Sequence, residues 1–453
     1  MKYYFPQDKI LTKEIIKKFI ELDRSENARK IKLHEYYQGK HNILRRQYED
    51  PSKPNNKVVN PYANYITTLM TGYFIGEPVQ YTGEDEAVLE QYKEIMAFND
   101  EPSVNKEIAK WQSVCGEGYD IIYIDEDGNT RFKALPALGM IPIYNDDLEE
   151  KLIFLIRYWR SYDIEHSQWI DYVEVYTPMD VVKYQADVAG DLRQIEQKYH
   201  VFGQVPVTPY FNNAECQGDF ELVISEIDAY DSFESDSVNE ADYFADSYLV
   251  LSGMEGTTSE DISGMKENRV LVFPEGGTGQ WLTKSVNDSW IENEKKRLDQ
   301  DIHKFSFCPP MTDENFASNA SGVAMKYKLM GLENKVGVKE NEFEKGLRRR
   351  IELIYGIMRK VSGDMSYLDI NIVFTRNLPQ DLSAAADTVI KLDGIISDET
   401  RLALLPLDID AASELEKVEE QKLSNFSLFG ANFNEVRDGE EDEEEEKPTN
   451  EKR

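Results

Sequence analysis

Cysteine is scarce in this chain, with three residues among 453. Cys115, Cys216 and Cys308 lie far apart and form no CxxC pair. A disulfide framework needs several cysteines in a short secreted domain, and a zinc site needs closely spaced ligand pairs. The sequence therefore predicts neither a disulfide nor a metal site, which fits a protein of the reducing cytoplasm.

Long apolar segments are also missing. The N-terminus, MKYYFPQDKILTKE, has no apolar core of the kind found in a secretory signal. The run LIFLI, residues 152–156, is far shorter than the roughly 20 residues that cross a bilayer. We therefore expect a soluble protein that is not exported and has no membrane partner.

Motifs for catalysis and for phosphate binding are absent as well. A Walker A loop holds phosphates with backbone amides and a lysine, but PEGGTGQW, residues 274–281, has only the glycines. DEDGNT, residues 125–130, begins like a calcium loop but has no later glutamate ligand. The five histidines form no HExxH pair, and there is no GxSxG elbow. The sequence thus predicts no cofactor and no enzymatic activity.

Basic residues are absent from one long segment. Residues 218–247 contain no lysine or arginine but ten acids, namely Asp219, Glu221, Glu226, Asp228, Asp231, Glu234, Asp236, Glu240, Asp242 and Asp246. Apolar residues recur there every three to four positions, which predicts an amphipathic helix of about thirty residues. Neighbouring like charges cost helix stability, so either packing or a function must favour these acids.

The whole chain is also strongly acidic, with a net charge of −34. Such a charge repels phosphate at long range and disfavours tight nucleic-acid binding over the whole surface. The first sixty residues are an exception, with 14 lysines and arginines against 8 acids. This basic island is either a solvated helical face or a contact for an acidic neighbour or nucleic acid.

What is present in the first half is a helical start followed by strands. Residues 8–38 predict two helices, the second beginning near Ser25, and Asn60 with its following proline predicts the start of a core helix. Between residues 118 and 210 the hydrophobic period changes to two, with a hairpin turn at Asp127–Gly128 and the strands LIFLIRYW, DYVEVYT and VVKYQ. A helix-plus-sheet domain of about 210 residues results, as in an α+β protein.

The middle of the chain predicts two helices around a small insert. Residues 248–285 are rich in glycine and short strands. Ser289 with Glu292 predicts a capping box, and thus a second helix over residues 286–308. Two helices that flank a small insert form an antiparallel pair.

A second helical stripe, from Met325 to Val361, predicts a helix of about forty residues, in which four glycines favour kinks. LDINIVFT, residues 368–375, predicts a returning strand. Residues 381–422 predict two or three short helices broken at Gly394 and Pro406, and the acidic tail from Glu435 predicts disorder. The stretch MTDENFASNA that precedes the long helix sets small polar residues beside two acids, which indicates a loose loop.

Six segments, in this order, resemble the portal protein, or head-tail connector, of tailed bacteriophages, of the type found in long-tailed phages of Gram-positive bacteria. The segments are YYQGKHNI at 36–43, NPYANYITTLMTGYFIGEPVQY at 60–81, VFGQVPVTPYFNN at 201–213, ISEIDAYDSFESDSVNEADYFADSYLVLSG at 224–253, SGVAMKYKLMGLE at 321–333 and ISDETRLALLP at 396–406. The resemblance covers nearly the whole chain except the acidic tail.

The resemblance implies an α+β portal fold with an α/β wing, a two-helix stem, a small β-rich clip, a long kinked wing helix and a helical crown. It divides the chain into the N-terminal wing at 1–217, stem helices at 218–247 and 286–308, the clip at 248–285, the tunnel loop at 309–319, the long wing helix and return strand at 320–378, the crown at 379–430 and a disordered acidic tail at 431–453.

The resemblance also implies a homo-oligomeric ring, usually of twelve subunits, at one capsid vertex. Double-stranded DNA would pass through its channel during packaging and ejection, without sequence specificity. The implied partners are the terminase large subunit, the head-tail adaptor, and the major capsid and scaffolding proteins. The protein would belong to the virion after assembly in the host cytoplasm. The missing Walker motif agrees with this, since the ATPase would be the terminase.

Two sets of residues become candidates through the resemblance. The tunnel loop would project into the channel, and its candidate residues are Thr312, Asp313, Glu314, Asn315, Phe316, Ala317, Ser318 and Asn319. Of these, Asp313, Glu314, Asn315 and Phe316 would lie nearest to the DNA. The acids of the first stem helix would line the channel, namely Glu226, Asp228, Asp231, Glu234, Asp236 and Glu240. Alternatively, stem acids would pair with Lys295, Lys296 and Arg297 of the second stem helix.

Two other classes of protein remain open at this point. An acidic enzyme that acts on a polymer would use the aromatic-rich strands near Tyr158, Trp159, Trp169 and Tyr172 as a binding platform, although aromatic residues at period two are usually core. A structural scaffold without a channel is the other alternative. The mass of the assembly and the presence of a central hole separate these alternatives from a portal.

Overall fold

The computed structural model describes residues 2–51, 53–83, 85–187, 190–245, 248–252, 258–260, 263–264, 278–282, 288–311, 322–362, 367–377, 382–402, 404–405, 414–415 and 417–422. The chain forms two compact units, Met1–Asn377 and Leu378–Arg453. Helices and strands are both abundant, which confirms the α+β prediction.

The first unit opens with strand β1, Tyr3–Tyr4, and the long helix α1, Lys13–Tyr37. The Thr12 hydroxyl accepts a hydrogen bond from the Ile15 amide, one of the amides left without a partner at the start of a helix. The predicted break near Ser25 is wrong. The helix continues because no glycine or proline interrupts it and its buried face runs from Ile16 to Tyr36, with Glu26 and Asn27 partly buried between Asp23 and Lys30.

A six-stranded sheet has the order β1-β5-β6-β7-β8-β9. Its remaining strands are β5, Met140–Tyr144; β6, Leu152–Asp163; β7, Gln168–Tyr176; β8, Asp180–Ala186; and β9, Leu192–Tyr199. β1 is parallel to β5, and the other neighbours are antiparallel. Ile16 and Phe19 of α1 share a core with Ile143, Ile156 and Val175 of the sheet.

A second sheet has the order β10-β3-β4. Its strands are β3, Glu117–Ile124; β4, Thr130–Leu135; and β10, Val207–Phe211. The hairpin between β3 and β4 is confirmed: Gly128 has φ +85°, a conformation that glycine adopts without strain. Around this sheet the chain forms α2, Tyr62–Ile75; β2, Gln80–Thr82; α3, Glu86–Phe98; and α4, Glu101–Cys115.

The acidic helix α5 is Ile224–Ala245, 22 residues long, so it is shorter than predicted, and a 3₁₀ turn, Glu221–Val223, precedes it. β11, Tyr248–Ser252, pairs with β12, Thr278–Leu282, in an antiparallel ladder. The next helix, α6, is Asp288–Ser306. Ser289 therefore lies inside the helix and is not its N-cap. The sequence misleads here because adjacent asparagine, aspartate and serine residues offer alternative helix starts.

The predicted long helix is confirmed as α7, Gly322–Ser362, of 41 residues. The return strand, β13, is only Asn371–Val373. It is shorter than predicted because its antiparallel partner β2 offers just three residues to pair with.

The second unit contains α8, Leu382–Lys391, and α9, Asp398–Leu402, and residues 417–422 are helical. Gly394, at φ +72°, separates α8 from α9 as predicted. The predicted break at Pro406 and the acidic tail lie outside the described residues. The division into wing, stem, clip and crown stays a prediction. Over the part of the chain described above, no helix is long and apolar enough to cross a membrane.

Candidate functional site

The candidate loop residues 312–319 lie outside the described residues, but the chain leading into them is described. The Tyr65 hydroxyl donates a hydrogen bond to the Pro309 carbonyl at 3.1 Å and accepts one from the Met311 amide at 2.9 Å. The carbonyl of Cys308 lies 2.8 Å from Nδ1 of His303 in α6. The segment that enters the loop is therefore fixed to both α2 and α6.

A cavity of about 300 Å³ lies beside this entry segment, lined by Asn60, Pro61, Tyr62, Tyr65, Asp299, His303 and Pro310. The Tyr62 hydroxyl donates to Asp299 at 2.6 Å. Burial and this carboxylate raise the pKa of Tyr62, so its hydroxyl stays protonated and remains a donor. The cavity thus separates α2 from α6 while a tyrosine bridges them.

The acids of α5 have partners in the N-terminal segment. Asp228 accepts hydrogen bonds from the Tyr36 hydroxyl at 2.5 Å and from the Asn42 side-chain amide at 2.9 Å. Asp231 is 0% exposed and lies 2.6 Å from Nδ1 of His41. These contacts join α5 to the end of α1 and to the residues that follow it.

The described residues of 41–60, which leave out 52, are here called the strap, and residues 56–60 lie along α5 in a regular register. Backbone amides of alternate strap residues donate to α5 side chains spaced by four: Asn56 to Asn239 at 2.7 Å, Val58 to Ser235 at 2.9 Å and Asn60 to Asp231 at 2.8 Å. Two residues of extended chain span about 6.6 Å and four of a helix about 6.0 Å, so the repeats match. One face of α5 therefore provides hydrogen-bond acceptors for backbone amides of the strap, a segment that belongs to no sheet.

The strap is the part of the candidate site that the sequence analysis missed. Its asparagines and three prolines, in PSKPNNKVVNP at 51–61, did indicate an irregular extended segment. Nothing in that pattern names α5 as its partner, since the contacting residues lie 171 to 183 positions apart.

The six candidate stem acids therefore have different surroundings. Asp231 is fully buried and bonded within the subunit, so it is not a candidate for a channel lining. Asp236 is paired with Arg46 of the strap at 2.8 Å but keeps 59% of its side chain exposed. Glu234 forms the expected bridge to α6, at 2.9 Å from Lys295. Glu226 and Glu240 are partly exposed.

Of the other two cations named on α6, Arg297 pairs with Glu294 of its own helix. Lys296 is exposed, and it lines a cavity of about 420 Å³ that Tyr230 of α5 also borders. One cross-helix ion pair, not a ladder of them, is thus seen between the described parts of α5 and α6.

Buried charges attach α7 to the preceding elements. Asp219, just before α5, is 3% exposed and lies 2.8 Å from the ammonium of Lys339. Burial alone would raise the pKa of Asp219, but the positive charges of Lys339 and Lys335 outweigh it and lower the pKa to about 2. The carboxylate is therefore charged at neutral pH and holds α7 against the start of α5.

A second buried cluster lies further along α7. Arg350 is 0% exposed and donates to Asp120 of β3 at 2.5 Å and to Asn105 of α4 at 2.8 Å. Glu101 lies 3.5 Å from the same guanidinium. One arginine thus ties α7 to α4 and to the second sheet.

The four aromatic residues of the alternative platform do not form one surface. Trp159 stacks on Tyr172 at 5.5 Å, with the Arg157 guanidinium 4.5 Å from the indole centre. Tyr158 directly precedes Trp159 in β6, so its side chain lies on the opposite face of the sheet, where its hydroxyl donates a hydrogen bond to Asp23. Trp169 contacts Tyr162 instead. Among the described residues no group of His, Cys, Asp and Glu side chains is arranged to hold a metal ion.

Comparison with known proteins gives consistent matches. A family model described as "Phage portal protein, SPP1 Gp6-like" matches residues 16–425. The chain is 25% identical over 422 residues to "Portal protein" of Bacillus phage SPP1, covering 89% of this chain and 83% of the relative. It is 26% identical over 443 residues to "Portal protein" of Clostridium phage phiCD119, covering 90% and 96%.

Among solved structures, a chain of the "Neck of empty GTA particle computed with C6 symmetry" aligns with a TM-score of 0.44 and 13% identity, covering 77% of this chain and 90% of that one.

Proposed function

The chain belongs to the SPP1 Gp6-like family of phage portal proteins, and from this premise we propose that its copies close into a ring, of twelve subunits, at one vertex of the capsid. Double-stranded DNA passes through the central channel during packaging and ejection. The observation that carries the proposal is the family match over residues 16–425, which leaves out only short ends of the chain. The protein itself acts as a conduit and catalyses no reaction.

The proposed partners follow from the same role. The terminase large subunit supplies the ATPase, the head-tail adaptor docks on the ring, and the major capsid and scaffolding proteins surround the ring as it assembles in the host cytoplasm. A net charge of −34 per subunit favours this use. Tight DNA binding depends on lysines and arginines that replace the counterions of the phosphates, and a strongly acidic surface does not provide this.

Light scattering after size-exclusion chromatography tests the ring. We expect a particle of about twelve times the 52.3 kDa subunit, with a central hole in negative-stain images. A lone subunit would favour the polymer-acting enzyme, and an assembly without a hole would favour a scaffold.

We propose that residues 312–319 project into the channel and that 313–316 lie nearest to the DNA, with Asp313 and Glu314 preventing phosphates from binding. The double variant Asp313→Lys, Glu314→Lys should slow or stall packaging in vitro, since two charges per subunit change sign and a repulsive −2 becomes an attractive +2. The matched control is Glu126→Lys, Asp127→Lys, which makes the same charge change at the exposed β3–β4 turn. Equal packaging rates for the two double variants would remove the assigned role of the loop.

For the stem, the proposed lining narrows to Glu226, Asp236 and Glu240, which keep exposed surface. Asp228 and Glu234 serve mainly as contacts to the strap and to α6. Their replacement should therefore change subunit stability more than packaging rate.

We propose that the insert 248–285 docks the motor or the adaptor. Its β11–β12 ladder brings the two ends of the insert together, so a deletion closed by a short glycine linker can leave α5 and α6 in place. Such rings should assemble but fail to package DNA. Normal packaging by the deleted ring would exclude this docking role.

A further inference from the structure

Over about four turns of α7, from Tyr327 to Asn341, five of the six exposed positions carry no charge, and Lys328 is the exception. The uncharged exposed or partly exposed positions recur every three to four residues along one strip and are Tyr327, Met330, Gly331, Asn334, Val338 and Asn341. We call this set the uncharged stripe. Tyr327 is 73%, Met330 57% and Val338 51% exposed, over a length of about 21 Å.

This stripe differs from the rest of the same helix. Solvated helix faces are normally polar and charged. The next residues on the outward face are Lys345, which is 70% exposed, and Arg348, and each pairs with a glutamate of α7. In a chain with 30% charged residues, a strip in which five of six exposed positions are uncharged needs an explanation.

A glycine borders the stripe at a position where no contact within the subunit requires it. A glycine inside a helix costs about 1 kcal/mol relative to alanine. At Gly346 a Cβ would strike the ring of Tyr210, so packing within the subunit explains that glycine. At Gly337 a Cβ would meet no atom within 4 Å. The space above Gly337 is therefore open in the single subunit.

An exposed aromatic residue continues the patch at its start. Phe307, just after α6, is 52% exposed and has φ +62°, a left-handed conformation that costs a non-glycine residue about 1–2 kcal/mol. A Cβ on Gly331 would lie 3.4 Å from its ring. Phe307 thus lies beside the glycine of the stripe in a backbone conformation that has this cost.

A second copy of this chain is the occupant that the charges favour. Two copies of −34 repel each other, and their contact is least unfavourable where neither presents a charge. The cores of stable interfaces between identical subunits are likewise depleted in charged residues. A closed ring, moreover, requires each subunit to present two different faces to its neighbours.

We propose that the uncharged stripe of α7, with Phe307, packs against the adjacent copy of this chain in the ring. The proposal rests on the ring put forward above and names the surface that forms one side of each subunit contact. The glycine at 337 lets the neighbouring chain approach the helix backbone closely.

Glutamate substitution is the first test. Val338→Glu should shift the purified full-length protein from rings to single subunits while its circular dichroism stays that of the wild type, because every contact then buries an unpaired carboxylate. The control, Lys345→Glu, makes a larger charge change on the same helix just beyond the stripe, and it should leave rings intact. Rings that persist in Val338→Glu would overturn the proposal.

Cysteine labelling keeps the proposal testable if the glutamate variant does not fold. The three native cysteines are buried, so an introduced cysteine is the reactive one. In intact rings, Val338→Cys should react with a maleimide at least tenfold more slowly than Lys345→Cys, and the difference should vanish once mild denaturant dissociates the ring. Equal rates in the ring would contradict the contact.

Gly337→Ala tests the close approach. In dissociated subunits it should raise the melting temperature, because the new methyl group meets open space and favours the helix. In rings it should lower the denaturant concentration at which subunits separate. Stabilisation of both forms would rule out a neighbour at that position.

The outcomes also distinguish failure of the proposed stripe contact from failure of the proposed ring. A wild-type chain that stays a single subunit under all conditions would overturn both. A wild-type ring with a central hole that is unaffected by Val338→Glu would leave the proposed function in place and remove only the role of the stripe.

Discussion

Helices α5 and α7 differ in the sign of their buried charged side chains and in the charge of their exposed faces. α5 has no basic residue, and its inward acids and amides are satisfied by donors of the strap, such as the amide of Asn60 on Asp231. α7 contributes buried cations, Lys339 and Arg350, that bind acids of earlier elements. Its outward face, in contrast, carries the uncharged stripe over four turns, with exposed Lys328 beside it.

The difference shows that a charged helix is not necessarily a solvated one. On α5 the acids closest to the strap are structural acceptors, because each accepts hydrogen bonds from groups that would otherwise be buried without partners. On α7 the surface that most resembles an interface is the one without charges. Sequence charge alone would have assigned these roles the other way round.

The largest effect is expected from the buried cation of α7. Arg350→Met leaves Asp120 without its guanidinium partner in a dry site, so unfolding in urea should require about 3–5 kcal/mol less free energy. Arg348→Met is the control two residues earlier in the helix, where loss of the partly exposed pair with Glu344 should cost less than about 0.5 kcal/mol. Similar losses for the two variants would show that burial does not decide the energy of these cations.

The next effect concerns the buried acid of α5. Asp231→Ala removes the acceptor of His41 and of the Asn60 amide, and we expect a loss of about 3 kcal/mol with faster hydrogen exchange at Asn60. Asp242→Ala provides the comparison, since Asp242 is exposed and bonds only the Asn56 side chain among the contacts described. If exchange in the strap were unchanged, α5 would not be what holds it.

A third effect comes from comparing two buried acids, Asp23 and Asp219, whose pKa values shift in opposite directions because Asp219 has more positive charge beside it. Burial raises the pKa of Asp23 in α1 to about 6 despite nearby Lys30, whereas Asp219 is lowered to about 2. Between pH 4 and 6 the folded state therefore binds more protons at Asp23 than the unfolded state does, so stability from this group is lost as pH rises through that window. For Asp219 it is lost as pH falls below about 4.

Asp23→Asn measures this contribution. The stability of the wild type minus that of the variant should be highest near pH 4 and fall by about 2 kcal/mol by pH 7. Urea unfolding at several pH values gives the difference. A difference that rises with pH would mean that Lys30 outweighs burial at this site.

The smallest effect is expected at the bridge between α5 and α6. A double-mutant cycle of Glu234→Gln and Lys295→Met should give a coupling of about 0.2–1 kcal/mol, which added salt reduces, because both side chains keep some contact with water. A coupling above 2 kcal/mol would place this pair among the buried ones of α7.

Local pattern explains what could be predicted of the fold. The stripe from Met325 to Val361 predicted α7, and Asp127–Gly128 predicted the β3–β4 hairpin, because both features depend on neighbours within a few residues. The break near Ser25 was wrong because capping residues also tolerate a helix interior when tertiary contacts bury the helix face. The family resemblance, confirmed by the match over 16–425, depended on six segments and their order.

The sequence by itself determined the classes of element, the absence of known catalytic motifs, the negative charge and the family. Tertiary structure alone decided that Asp231 is buried, that the strap amides at 56, 58 and 60 bind α5, and that the exposed stripe of α7 is uncharged. The physical reason is distance along the chain. An acid on a helix has the same local pattern whether it faces water, a channel or a buried donor, and only the folding of a segment more than 170 residues away decides among them.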